Sequence, residues 1–263
     1  MHPLPSAILF GLGIFSCSPQ PGPAPAIGEI TVPDPMAFLA EAPGNSRRHD
    51  WPLPVGYVAL ENVRENERRA RQNWDFAPFG TFDASRGDGF QAAEIGKDGY
   101  VRFTSTQDGG TPWIQYFVGE HCGGTGWIVF GLDAPSGRWR EVLATLNIAR
   151  EPQTCPTSLN YALTRYRLET VEYPFAIDGQ RTSRTVSTVI SEHYDHKTIG
   201  EARALERSYL GQGYGLLRWE AWGRSPPSIH DLPQRCGAVA YSDPPQPGWH
   251  LRDCRTYTNV VGR

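Results

Sequence analysis

The chain lacks most of the features that assign a protein quickly. Its 25 Lys and Arg are outnumbered by 28 Asp and Glu, and a formal charge of -3 offers no long-range attraction to a phosphate backbone. A nucleic-acid partner is not expected. Ala7–Phe15 is an uncharged apolar run, but it is too short to cross a bilayer as a mature helix. There is no Gly-Xaa-Ser-Xaa-Gly nucleophile elbow, no Cys-Xaa-Xaa-Cys spacing and no internal repeat of fixed period. Gly123-Gly124-Thr125-Gly126 has neither the lysine nor the helix of a phosphate loop, and reads as a hairpin turn. Neither a cofactor nor a metal is expected.

With 28 Gly and 23 Pro in 263 residues long helices have little room, while 8 Trp, 11 Tyr and 11 Phe supply large units of burial. Short β-branched and aromatic runs, Gly99–Thr104, Trp113–Val118 and Trp127–Phe130, are separated by glycine-rich turns. Further strand candidates are Trp139–Ile148, which also suits a helix, Tyr161–Phe175, Thr185–Tyr194, Leu205–Leu210, Tyr214–Trp222, Ala238–Ser242 and Trp249–Cys254. The expected fold is all-β and mainly antiparallel: a β-sandwich or jelly-roll-like single domain over residues 50–263, preceded by a short helical or irregular segment. Leu60–Gln72 is the best helix candidate, because Glu61, Glu65 and Glu67 precede Arg64, Arg68, Arg69 and Arg71 at helical charge-pair spacings.

Residues 1–16 read as an export signal, although they contain no Lys or Arg. Ile14-Phe15-Ser16-Cys17 resembles the lipobox of bacterial lipoproteins, which implies lipidation at Cys17 and a membrane anchor. Residues 17–49 then form a proline-rich tether, with Pro19, Pro21, Pro23, Pro25, Pro33 and Pro35 favouring extended chain. The location implied is the bacterial cell envelope, at the periplasmic or outer-membrane face. Without Cys17 the cysteines form an even set, as an oxidising compartment favours. Cys236 and Cys254 bracket a hairpin and are paired, leaving Cys122 for Cys155.

Chemistry is densest in Leu205–Trp222. Taking Gly211-Gln212-Gly213 as the hairpin loop pairs Leu210 with Tyr214, Ser208 with Leu216 and Glu206 with Arg218, which sets opposite charges across from each other. The two-residue period then places Glu206, Tyr214, Arg218, Glu220 and Trp222 on one open face and Tyr209, Leu217, Trp219 and Ala221 on the core face. Aromatic rings, an arginine fork and carboxylates suit the binding of a polysaccharide or envelope glycan. The competing reading is a salt-bridge ladder on an ordinary sheet face.

Ser191–His196 offers His193, Tyr194 and His196 as acid and base for β-elimination of a uronate, with Arg218 neutralising the carboxylate. Satisfied core or surface histidines, or a metal site with His121 or Asp195, are the other readings. Glu206 and Glu220 also invite a glycosidase reading. The motifs of jelly-roll alginate lyases are not met, since Glu192 directly precedes His193 and Tyr214 stands one place early. Three classes follow: an exported protein that engages carbohydrate, a lyase or glycosidase acting on an acidic glycan, and an envelope structural or protein-interaction lipoprotein.

Overall fold

The computed structural model describes residues 23–39, 69–74, 89–107, 115–151, 153–177, 180–225, 243–256 and 259–260. They form one short α-helix, α1 (Met36–Leu39), a single 3-10 turn over Glu120–Cys122, and twelve strands: β1 (Arg69–Trp74), β2 (Gly89–Ile95), β3 (Tyr100–Gln107), β4 (Gln115–Val118), β5 (Trp127–Gly131), β6 (Arg140–Ala149), β7 (Asn160–Ile177), β8 (Gln180–Tyr194), β9 (Ala204–Gly211), β10 (Gly215–Gly223), β11 (His250–Thr256) and β12 (Asn259–Val260). The strands join in the order β1-β2-β3-β4-β6-β7-β8-β9-β10-β11, with β5 beside β3 and β12 parallel to β7. The expected all-β, antiparallel architecture is therefore present. Among the described residues no helix is long and apolar enough to cross a membrane.

Strand β6 joins two layers. Its first part pairs with β7, from Arg140 opposite Tyr166 to Leu146 opposite Asn160, and its last residues pair with β4. A strand shared in this way lets one sheet turn a corner and pack on itself. Strand β5 consequently lies over β7 and β8, where the Thr164 hydroxyl donates to the Ile128 carbonyl at 3.0 Å and the Ser191 hydroxyl donates to that of Val129. Tyr100, Ile128, Phe130, Tyr166, Val189 and Leu216 fill the core between the layers. Two smaller apolar clusters, around Tyr173 and Tyr209 and around Tyr194 and Trp222, occupy the opposite face of β7–β10.

Residues 23–39, expected within the tether, pack against this body. Thr31 and Val32 donate their amides to the Leu132 carbonyl, both at 2.8 Å, and the Tyr100 hydroxyl donates to the Pro25 carbonyl at 2.8 Å. Val32, Met36, Phe38 and Leu39 carry enough apolar surface to join the core, which a purely solvated tether would leave exposed. The helix expected over Leu60–Gln72 is corrected at its end: Arg69–Gln72 lies in β1 and pairs with β2, so ladder hydrogen bonds override the charge spacing. Its remaining residues, the Ala238–Ser242 strand candidate, Cys17 and Cys236 lie outside the described residues. Trp139–Ile148 resolves as strand β6.

Candidate functional site

The pairing of β6 through β10 lines up one row of alternating charge. Glu141 faces Arg165, Arg165 faces Glu192, Glu192 faces Arg207 and Arg207 faces Glu220. All but Glu141 are buried. Direct cross-strand neighbours of opposite charge attract, and a one-residue slip of any of these strands would break the alternation, so the row fixes register as well as contributing pairing.

Each buried carboxylate is held by several donors. Glu192 accepts from Arg165 Nε, from the Tyr194 hydroxyl at 2.5 Å and from Arg207 Nε at 2.8 Å, with Arg207 Nη2 also 2.6 Å away. Glu220 accepts from Arg218 Nε at 2.5 Å, Trp222 Nε1 at 2.8 Å and Arg207 Nη1 at 3.2 Å. Arg207 Nη1 further donates to the Asp243 carbonyl at 2.8 Å. Buried charges need this density of partners, because an uncompensated ion in a poorly polarisable interior costs several kcal/mol. Only Lys97 and Lys197 are lysines in the whole chain. The planar guanidinium, with its fork of donors, is better suited than an ammonium to a row of carboxylates.

Burial pulls the Arg207 pKa down, but the Glu192 and Glu220 carboxylates outweigh it and the net shift is upward. Burial, reinforced by the neighbouring carboxylates, raises the Tyr194 and Tyr209 phenols. Both phenols therefore keep their protons near neutrality.

This geometry revises the hairpin register. Gly211 pairs with Gly215, so Gln212-Gly213-Tyr214 forms the loop, with Gly213 at φ 79° and Gly215 at φ 65°. A bulge between Leu216 and Arg218 then puts Arg218 opposite Tyr209 and Glu220 opposite Arg207. Arg218, Glu220 and Trp222 do share a face, but it is buried. Glu206 lies on the other face, exposed, near Trp219 Nε1 at 3.5 Å. Tyr214 sits in the Tyr173 cluster, where its hydroxyl accepts from Arg184 Nη1 at 2.6 Å.

The three residues considered for catalysis stand in three settings. His193 is buried on the β5 side: Trp127 Nε1 donates to its Nδ1 at 2.7 Å, and its Nε2 lies 3.1 Å from the Ser191 hydroxyl. With Nδ1 accepting, the ring proton resides on Nε2. Burial pushes the His193 pKa down to about 3, so the imidazole stays neutral. Tyr194 points to the opposite face and donates to Glu192. His196 lies in the turn after β8, with Nδ1 3.3 Å from Glu201 Oε2. The fold does not bring these three side chains together.

At the β6 edge the charged face opens. Trp139 is half-buried, and the guanidinium carbons of Arg165 and Arg167 lie 4.4 Å and 4.2 Å from its ring centre. Arg167 Nε is 2.9 Å from Glu169 Oε1. Leu143, opposite Leu163 in the same ladder, is 41% exposed. Sequence reasoning missed this edge, although Arg165 and Arg167 at two-residue spacing, with Trp139 preceding the partner strand, were the available signal.

Cys122 and Cys155 form a disulfide, as expected. His121 stands beside it, and the imidazole and the two sulfurs lie within 4.8 Å of one another. His121 and Cys122 are neighbours in the chain, and the fold adds Cys155 to them. Protein-family models, curated proteins and solved structures give no match to this chain, so its functional reading rests on the chemistry of its own residues.

Proposed function

We propose that the protein is exported to the bacterial envelope, anchored through Cys17, and holds an acidic carbohydrate at the open edge of the charged sheet face. The observation that carries this reading is the Trp139 indole with Arg165 and Arg167 stacked on it, with Leu143 exposed further along β6. Stacking on the ring fixes two guanidiniums before any ligand arrives, which lowers the ordering cost of binding. Arg167, still partly exposed, offers paired N–H donors to a uronate carboxylate, while Trp139 and Leu143 offer apolar surface to the sugar C–H face. Arg218, Glu220 and Trp222 lie deeper and hold the sheet in register. Envelope placement is supported by the apolar run, the lipobox-like Cys17 segment and the disulfide.

A second reading, an envelope structural or protein-interaction protein, is favoured by the internal pairing of the charge row. The elimination reading draws no support from the separate settings of His193, Tyr194 and His196, and the hydrolysis reading draws none from Glu206 and Glu220, which lie on opposite faces of the sheet.

A glycan array probed with the mature protein tests the proposal. Uronate-bearing glycans should be retained over neutral ones, and added salt should weaken them. Silence on every glycan would overturn the reading in favour of the interaction protein. New unsaturated ends absorbing in the ultraviolet would move it to elimination.

A further inference from the structure

We infer that the Cys122–Cys155 disulfide, once reduced, becomes with His121 a binding site for a thiophilic d10 cation, Zn2+ or Cu+. The three side chains come from two segments fixed by contacts other than the disulfide. Residues 119–126 form a tight loop: the amides of Cys122 and Gly124 donate to the Gly119 carbonyl at 2.9 Å and 2.7 Å, and that of Gly123 donates to Glu120 at 3.3 Å. Gly123 closes the turn at φ 81°, a conformation that favours glycine. The Thr125 amide reaches Thr145 Oγ1 in β6 at 3.0 Å, and the Thr125 hydroxyl accepts from the Thr145 amide at 2.8 Å. A Cβ on Gly124 would come within 2.4 Å of the Thr145 carbonyl, so the loop is pressed against β6. Residues 153–159, which carry Cys155, run into β7, where Asn160 pairs with Leu146 of β6; Asn147 Nδ2 lies 3.4 Å from the Ser158 carbonyl, and Leu159 packs against Gly124, where a Cβ would come within 2.5 Å of it. Reduction therefore leaves the two sulfurs and the imidazole close together.

The site is open to both reductant and cation, since His121 and Cys155 are exposed and Cys122 is half-buried. Two electrons and two protons from a dithiol convert the disulfide to two thiols, and the dithiol leaves as a disulfide. Cation binding then releases the two thiol protons. Two thiolates and one imidazole select soft or borderline cations over Ca2+ and Mg2+, which prefer oxygen. With Zn2+ the set leaves a fourth position for water. A disulfide oxidant that takes two electrons from the two thiolates, and leaves as its dithiol after taking up two protons, re-forms the Cys122–Cys155 bond and ejects the cation, so the site is gated by the redox state of its surroundings.

The test uses the full chain, reduced with a phosphine and titrated with Co2+ as a spectroscopic stand-in for Zn2+. The reduced protein should take up one Co2+ with a thiolate charge-transfer band that is absent from the oxidised protein and from Cys122→Ser/Cys155→Ser. His121→Ala should weaken Zn2+ at least tenfold in chelator competition, and a parallel Cu+ competition identifies which cation is held more tightly. No band in the reduced protein with both thiols confirmed free, a band that survives in Cys122→Ser/Cys155→Ser, or unchanged affinity in His121→Ala would overturn the inference. So would a reduced chain that loses its far-ultraviolet strand signal and does not regain it with metal.

Discussion

The two faces of β7–β10 bury polar groups by different means. On the face under β5, Thr164, Ser191 and His193 form a neutral cluster whose hydroxyls donate to the Ile128 and Val129 carbonyls of the covering strand. On the opposite face, Arg165, Glu192, Arg207 and Glu220 form ions that satisfy one another along the sheet itself. The difference follows from what lies across each face. A covering strand offers backbone acceptors, which neutral donors can use at little desolvation cost. A face bounded by side-chain clusters must carry acceptors of its own, and carboxylates between guanidiniums supply them at the cost of burying charge.

The contrast breaks most sharply at Glu192. Glu192→Ala leaves Arg165 and Arg207 without their shared carboxylate, and urea unfolding should show a loss of about 3–5 kcal/mol. A loss below about 1 kcal/mol would mean that the row is wet rather than buried. The disulfide lies outside both faces and serves as a reference: Cys122→Ser/Cys155→Ser should cost about 2–4 kcal/mol. That loss should be insensitive to salt.

The neutral face answers to pH. His193 takes up a proton in the unfolded chain near 6.5 but in the folded protein only near 3, so the unfolded state binds more protons between these values. Stability is complete above about pH 6.5 and falls as pH drops, by about 1.4 kcal/mol per unit and hence about 2 kcal/mol by pH 5. His193→Gln should flatten that slope, read by chemical denaturation at both pH values. The smallest effect belongs to the exposed end of the ionic row, where Glu141→Ala should shift stability by less than about 1 kcal/mol. Equal losses at Glu141 and Glu192 would show that burial does not distinguish them.

The strands and their two-residue alternation were legible in the sequence, including the shared face of Arg218, Glu220 and Trp222. The rule that opposite charges sit across from each other was also sound, but it was applied to Glu206 and Arg218 when the pair is Arg207 and Glu220. The error came from the turn. Gly211, Gly213 and Gly215 each suit a hairpin, and nothing local in the sequence chooses Gln212-Gly213-Tyr214 or announces the bulge after Leu216. Burial was misjudged because three consecutive polar residues, Ser191, Glu192 and His193, suggest at least one solvated face, while all six residues of Val189–Tyr194 are buried. Ser191 and His193 meet one layer, Glu192 and Tyr194 meet the other clusters, and only tertiary packing reveals that both faces are covered. The proximity of His121 to the disulfide was legible, since it precedes Cys122 and the Cys122–Cys155 pairing was expected; only the turn of its imidazole toward the sulfurs needed the fold.

The central claim is that the ionic row holds the sheet while its open edge meets the ligand. Acidic-glycan binding measured beside the unfolding midpoint, for Trp139→Ala and Trp222→Ala together, tests it most directly. Trp139→Ala should lose binding at least tenfold with a stability change of about 2 kcal/mol, for its two arginine contacts and its partial packing on the Tyr173 cluster. Trp222→Ala, deprived of a buried ring and of its bond to Glu220, should lose about 3–5 kcal/mol of stability. A stably folded Trp222→Ala protein that no longer binds, alongside a Trp139→Ala protein that binds as the parent does, would contradict the claim and return the ligand to the β10 face.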